Sequence, residues 1–261
     1  MAKEKKITVK HFVNKKLPSS NGEKRPIYLR MRYDNKPYEI ESFSAPVIAI
    51  RKIFGTGYEL DFFKRAYMTD TELNSLDDVD KIPLDQELNT VEEVFNYAKK
   101  NGVNILQELN FRHILALMLR PFSISLDHYL AFQFLCTLPK YEPISIFKNI
   151  FTSDHLFSYS FSALRQASKS DGCQTDFYKN YIKPFELKAL ILDEVITEFF
   201  YGKNYLVSGS IWLNNDQVIF DYFEKKYDQE ILEELDKLLQ DYKKYINSFL
   251  PSELQLIYTE K

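Results

Sequence analysis

The sequence predicts an α+β protein: a small three-stranded antiparallel β-meander at the amino terminus, followed by a mostly α-helical body with a long C-terminal helix. Apolar and polar residues alternate in short segments before residue 44, whereas apolar residues recur at helical spacing after residue 90. Only 7 of the 261 residues are glycine, while 39 are Phe or Tyr. Bulky aromatic side chains must therefore build much of the core.

Three strands account for the alternating segments. Residues 7–13 and 27–33 alternate apolar with polar side chains, and 38–43 repeat the pattern more briefly. The joining segments, 17–26 and 34–37, are rich in the Pro, Gly, Asn and Asp residues that are typical of turns. A sheet of this size has little core of its own, so we expect it to pack against another part of the chain.

The segment between the sheet and the helical body gives mixed signals. Residues 47–54 fit a strand or a helical turn, 69–72 fit the start of a short capped helix, and 77–83 fit an acidic connector. The predicted division is a basic three-stranded arm-like domain over 1–45, a mixed connector over 46–89 and a helical bundle domain over 90–261.

Helical signals begin at Thr90, which together with Glu93 forms a capping-box pattern that predicts the start of a helix ended by Gly102. Further helices are predicted over 104–120, 125–137, 144–151, 154–167 and 184–201. The most regular pattern predicts one long helix over 216–250 with a continuous apolar face. That face packs either on its own bundle or on a partner, in which case Tyr227, Leu238 and Tyr242 are the candidate protein-contact residues.

Charge is distributed unevenly along the chain. Residues 1–36 contain eleven Lys or Arg and three acidic residues, a net charge of +8, and the remainder carries −11. This basic head on an acidic body has two interpretations. Either the head binds a polyanion, or it docks on the acidic body of its own chain.

The order of strands and turns in the basic head can be followed residue by residue. A strand in 6–17 ends in Asn-Lys-Lys, a polar turn with Gly22 leads into Pro-Ile-Tyr-Leu-Arg at 26–30, and a turn with Asn-Lys precedes a third strand at 38–42. This order resembles the amino-terminal arm-type DNA-binding domain of mobile-element tyrosine recombinases, the phage-type integrases. The resemblance covers about 45 residues and implies a sheet that lays one face into the groove of duplex DNA.

The resemblance implies that the exposed sheet face binds DNA. Strand alternation places Lys10, Arg30 and Arg32 on that face, and the other basic candidates lie at turns, where they can hold the DNA backbone. Glu39 and Glu41 share the face, so the alternative is an ordinary surface of cross-strand charge pairs. The candidate DNA-binding residues are Lys10, Lys15, Lys16, Lys24, Arg25, Tyr28, Arg30, Arg32 and Lys36.

Recombinase chemistry is not predicted. The family assembles an Arg, a Lys, a His-x-x-Arg motif and a Tyr nucleophile around the scissile phosphate, and none of the four histidines here has an Arg three residues later. Tyr258 lies near the carboxy terminus, where the family keeps its nucleophile, but without that motif we assign it no catalytic role. We therefore predict no catalytic residues.

Other functional classes lack their motifs. The Gly55-Thr-Gly57 segment has neither a third glycine nor a following Lys-Ser or Lys-Thr, and the histidines are scattered singly, so we expect no nucleotide, metal or other cofactor. Cys136 and Cys173 form no CxxC pair and are interpreted as reduced. No leader or membrane span is recognised, so we expect a cytoplasmic protein that does not bind a membrane.

Two functions are consistent with these observations. The first is a non-catalytic DNA-binding or accessory protein of a mobile genetic element or phage, with the basic sheet on double-stranded DNA and the acidic helical body on protein. The alternative is a protein-interaction or structural assembly component, such as a virion component, that uses the arm-like sheet as a protein contact or self-associates through its helical body. No motif supports an enzyme.

Overall fold

A computed structural model of the protein describes residues 7–17, 24–33, 36–48, 66–108, 110–138, 157–169 and 176–255. The predicted helix over 144–151, the glycine pair at 55–57, Cys173 and Tyr258 lie outside the described residues. Within those ranges the predicted α+β class is confirmed, because an antiparallel sheet at the amino terminus is followed by a mostly helical body.

The sheet has the order β1-β2-β3, and both strand pairs are antiparallel. A short fourth strand, which the sequence did not predict, pairs with the start of the second. The strands are β1 (Thr8–Val13), β2 (Arg25–Tyr33), β3 (Lys36–Glu41) and β4 (Tyr67–Met68). The α-helices whose bounds both lie in the described residues are α1 (Asp70–Asn74), α2 (Asp78–Lys100), α3 (Phe111–Leu119), α4 (Phe122–Thr137), α5 (Phe157–Lys169), α6 (Glu186–Ile196), α7 (Ser208–Trp212), α8 (Gln217–Glu224) and α9 (Gln229–Asn247).

These elements belong to two compact units. The first comprises Met1–Pro121, Lys203–Asn214 and Phe249–Lys261, and the second comprises Phe122–Gly202 and Asn215–Ser248. The sheet and α1 to α3 lie in the first unit together with α7. The linear division of the chain at residues 45 and 89 stays a prediction.

The inner face of the sheet forms part of the core of the first unit. Leu29 and Met31 of β2 are fully buried, and β1 contacts α2. A cluster of buried apolar residues continues this core beneath the sheet and consists of Val13, Ile27, Ala45, Ile48, Ala66, Met68, Leu76 and Leu84. The expectation that the small sheet packs against another part of the chain is thereby confirmed.

A buried carboxylate ties the sheet to α2. Glu87 is fully buried, and its Oε2 accepts a hydrogen bond from the Ser42 hydroxyl (2.6 Å) and lies 2.8 Å from His11 Nε2. Its Oε1 accepts the backbone N–H groups of Phe43 (2.7 Å) and Ser44 (3.3 Å). One carboxylate thus pairs a β1 side chain with the segment that follows β3, which is why the sheet has a single orientation on the helix.

Two predicted features around α2 are wrong. The helix begins at Asp78, where the Asp77 side chain accepts the N–H of Asp80 (2.8 Å), so 77–83 is helix start rather than connector. Thr90 lies inside the helix and is buried, and its hydroxyl pairs with that of Ser210 on α7 (2.9 Å). Close packing explains the glycine beside it, because a Cβ at Gly209 would lie 2.5 Å from the Thr90 methyl.

Other local signals are confirmed. Thr69 and Glu72 form the predicted capping box at the start of α1. Gly102 follows the end of α2 with a φ of 75°, the left-handed conformation that glycine adopts without strain. The helix predicted over 104–120 is shorter, because a 3₁₀ turn at Ile105–Gln107 precedes α3.

The predicted long helix over 216–250 is two helices. α8 ends at Glu224, and α9 begins at Gln229, where the Asp228 side chain accepts the N–H of Ile231 (3.3 Å). The apolar spacing continues through the break, so periodicity alone did not reveal it. The last α-helix of the described residues is therefore α9, which has 19 residues.

Aromatic rings form much of the second unit's core, and its helix α4 carries a buried acid. Phe134 of α4 contacts Phe157, Phe161 and Phe185 with ring centroids 5.2 to 5.8 Å apart. Asp127, on the same helix, accepts the backbone N–H of Phe157 (2.9 Å) at the start of α5. Burial raises the pKa of Asp127 to about 6, although two backbone hydrogen bonds oppose the shift.

We predict that Glu87→Ala lowers the free energy of unfolding by about 4 kcal/mol, because buried backbone and side-chain donors lose their acceptor. Denaturant unfolding followed by the fluorescence of Trp212, which lies in the same unit and is the only tryptophan in the sequence, measures this. Glu92→Ala, an exposed glutamate on the same helix, is the matched control and should change stability by less than about 0.5 kcal/mol. Equal stability of the two variants would contradict the role of Glu87.

We also predict a pH dependence that originates at Asp127. Its pKa is raised on folding from 3.8 to about 6, so the folded protein binds a proton that the unfolded chain releases, and stability falls as pH rises between those values. Asp127→Asn removes the titration, so from about pH 4 to pH 7 the wild type should lose about 2 kcal/mol relative to the variant. Urea unfolding followed by circular dichroism measures this, and parallel pH profiles would refute it.

Candidate nucleic-acid interface

The register of the sheet separates two faces. Cross-strand partners in β1, β2 and β3 form three outward rows, which are Thr8–Arg32–Pro37, Lys10–Arg30–Glu39 and Phe12–Tyr28–Glu41. The neighbouring positions, such as Leu29 and Met31, point into the core. The predicted placement of Lys10, Arg30 and Arg32 on one outward face is therefore confirmed, and so is the presence of the two glutamates beside them.

Arg30 lies at the centre of the outer face and is held on two sides. Its guanidinium carbon is 4.1 Å from the ring centroid of Phe12. Its Nε and Nη2 atoms bond to the same oxygen of Glu39, Oε1, at 2.9 and 2.7 Å. Both charged side chains are 28% exposed, so the contact is partly shielded from water. The sequence prediction did not include Phe12, although alternation with Lys10 is a signal that places it on this face.

Lys10 and Arg32 flank this pair and are exposed. Within the described residues neither forms an ion pair or a side-chain hydrogen bond. Lys10 lies directly across from Arg30, and Arg32 lies two residues along the same strand. These two cations give β1 and β2 an outward positive charge that the protein's described carboxylates do not neutralise.

Two of the predicted turn lysines form ion pairs with α1. Lys15 Nζ is 2.6 Å from an Asp70 carboxylate oxygen, and Lys24 Nζ is 2.8 Å from one of Glu72. Lys24 holds the pKa of Glu72 below its usual value. All four side chains are well exposed, so each pair contributes little to stability and leaves its lysine accessible to a competing anion.

The remaining DNA-binding candidates occupy three different settings. Tyr28 is half-buried on the outer face, where its ring contacts that of Phe12 edge-on. Arg25 and Lys36 lie at the two ends of the sheet, out of alternation with the outer rows, where Arg25 is half-buried and Lys36 is exposed. Lys16 is exposed in the turn after β1. The structure therefore brings together Lys10, Tyr28, Arg30 and Arg32, and places the other candidates around their margins.

The candidate protein-contact residues lie in the second unit. Leu238 and Tyr242 are buried, and the Tyr242 ring contacts those of Phe122 and Tyr129. Tyr227 is half-buried, and burial together with a hydrogen bond to Glu194 raises its pKa to about 12. Leu238 and Tyr242 thus belong to the core of their own unit, so their spacing reflects internal packing.

Other features of the described residues add no second site. No group of three or more His, Cys, Asp or Glu residues among them is arranged to hold a metal ion. None of the helices in the described ranges is long and apolar enough to cross a membrane. Comparisons of the chain with protein-family models, curated proteins and solved structures find no match.

We predict that the two outer-face arginines differ in their effect on stability. Arg30→Ala should lower the free energy of unfolding by about 1 kcal/mol, because it removes the contacts with Phe12 and Glu39. Arg32→Ala, which removes an exposed side chain without an ion pair in the described part of the chain, should change the free energy of unfolding by less than about 0.5 kcal/mol. Thermal unfolding of the two variants measures the difference, and an equal loss in both would contradict the packed role of Arg30.

Proposed function

We propose that this chain is a non-catalytic DNA-binding protein whose outer sheet face contacts duplex DNA. The observation that carries the proposal is the exposed, unpaired state of Lys10 and Arg32 within the described residues, on the same face as Arg30. Two adjacent strands with outward cations match the two-stranded β-ribbon that the major groove admits. The proposal requires no chemical step and no cofactor.

The binding energy would be mainly electrostatic. Each phosphate that a lysine or arginine neutralises releases condensed counterions, so affinity falls as salt rises. Lys10 and Arg32 are the principal phosphate contacts under this proposal, since the charge of Arg30 is already balanced by Glu39. Lys15 and Lys24, whose present partners are solvent-exposed, can exchange a carboxylate for a phosphate at small cost.

The biological setting is proposed from the resemblance of residues 1–45 to the arm-type domain of mobile-element tyrosine recombinases. The three-stranded antiparallel order of the sheet agrees with the expectation that this resemblance raised. We therefore infer an accessory protein of a mobile genetic element or phage, with its acidic helical body available to a protein partner.

A second candidate function is protein binding by the same sheet. The contacts of Lys15, Lys24 and Arg30 with Asp70, Glu72 and Glu39 favour it, because they show that these cations accept carboxylates as partners. An acidic protein surface would offer the same groups. This candidate predicts no affinity for DNA beyond nonspecific charge attraction.

The test is a fluorescence-anisotropy titration of a short labelled duplex at low and at physiological salt. Wild type should bind with a steep salt dependence, and Lys10→Gln with Arg32→Gln should weaken binding and lower the slope of log K against log salt by about two. Lys225→Gln with Lys237→Gln, which removes two exposed lysines of the second unit, is the control for net charge. It should leave the affinity and the salt slope unchanged.

Three results separate the two candidate functions. Loss of affinity in the sheet variant alone supports DNA binding by this face. Equal loss in both double variants indicates diffuse charge attraction and refutes the site. No binding at low salt refutes the proposed function and favours protein binding by the sheet.

A further inference from the structure

The guanidinium of Arg30 is oriented before any ligand arrives. Phe12 supports one of its faces, and Glu39 binds the edge formed by Nε and Nη2. These contacts engage the Nε hydrogen and one of the two Nη2 hydrogens. The other Nη2 hydrogen and both Nη1 hydrogens have no partner among the described residues. The end of the fork, formed by Nη1 and Nη2, is therefore available to an acceptor pair.

Charge balance argues against a phosphate role for Arg30. The ion pair with Glu39 has no net charge, and a phosphate brought to Arg30 would lie next to the Glu39 carboxylate. Lys10 and Arg32, which lack such a partner in the described part of the chain, are better phosphate contacts. An arginine with a neutralised charge and two parallel donors is instead suited to a neutral acceptor pair.

We propose that Arg30 reads a guanine in the major groove of duplex DNA, and that Glu39 and Phe12 are positioning residues that hold its guanidinium for this contact. Guanine presents two acceptors, O6 and N7, at the spacing of an arginine fork, and no other base edge in that groove offers the same pair. The inference rests on the proposed function, because it requires that the outer sheet face approach DNA.

The positioning contacts would contribute to specificity. A free arginine loses rotamer entropy when it binds a base, and it can also reach phosphates or other bases. An arginine that is already fixed against a ring and a carboxylate loses less rotamer entropy on binding, and it meets the base edge in one orientation. Phosphate contacts from Lys10 and Arg32 would meanwhile supply affinity without sequence preference.

The test is selection from a duplex library with a randomised central segment, using the full chain and sequencing the bound fraction. Wild type should enrich a motif with a preferred guanine. Arg30→Lys and Glu39→Ala should each reduce the preference for that guanine by about tenfold or more. Glu39→Ala should at the same time bind unselected duplex more tightly, since it removes a negative charge, and a merely structural role would not produce this opposite change.

Two variants serve as controls. Glu39→Gln keeps an oxygen that can accept both hydrogen bonds from Arg30, so it should retain the guanine preference. Glu92→Ala, an exposed site on α2, makes the same change of charge as Glu39→Ala and should leave the motif intact. Circular dichroism establishes that each variant is folded before selection.

The outcomes distinguish failure of this inference from failure of the proposed function. A wild-type motif that Arg30→Lys and Glu39→Ala leave unchanged would overturn the guanine contact while DNA binding stands. Salt-dependent binding by wild type without any enriched motif would also overturn it, because the face would then contact only the backbone. An absence of DNA binding by wild type would refute the proposed function, and this inference with it.

Discussion

The orientation of the sheet depends on the buried carboxylate of Glu87. An acid with no exposure to water is tolerated only when its oxygens are bonded, and here His11, the Ser42 hydroxyl and two backbone N–H groups bond them. These partners come from β1 and from the chain after β3, so satisfying one carboxylate positions both edges of the sheet on α2. Because strand side chains alternate, that same constraint determines which residues face outward, and the candidate interface follows from it.

Net charge alone would have misjudged this interface. The amino-terminal segment carries a net charge of +8 over 36 residues, yet Lys15, Lys24 and Arg30 have carboxylate partners within the described part of the chain. Two of these pairs are solvent-exposed and weak, whereas the pair of Arg30 and Glu39 is partly shielded and reinforced by Phe12. Basic residues in one segment thus have different roles, and those roles depend on their neighbours across the strands.

Sequence patterns predicted features that depend on adjacent residues. The alternation of side chains along each strand predicted which residues of the sheet face outward. The capping box at Thr69 and the helix end at Gly102 were predicted because each also depends on residues close together in sequence. Two misses are local, because Asp77 and Asp228 each cap a helix by accepting an N–H three residues on. The others involve partners distant in sequence. The Thr90 hydroxyl matches a capping pattern but pairs with Ser210, and the function of Glu87 depends on residues more than forty positions away. The contact of Arg30 with Phe12 depends on the register between β1 and β2, which the pattern of each separate strand does not specify.

The arrangement of charge across the outer face also gives a direction to any bound polyanion. Within the described residues, Lys10 and Arg32 are cations without an ion pair and lie on β1 and β2, whereas Glu39 of β3 is paired with Arg30. Under the proposed function a phosphate backbone would be attracted to the first two strands, and the neutral pair of Arg30 and Glu39 would add no attraction at the third, so the DNA would cross the face on the β1 side. Arg30 lies on the central strand, between Lys10 of β1 and its partner Glu39 of β3. Under the proposed function it is therefore the residue at which attraction for the phosphate backbone would end and contact with a base edge would become favourable.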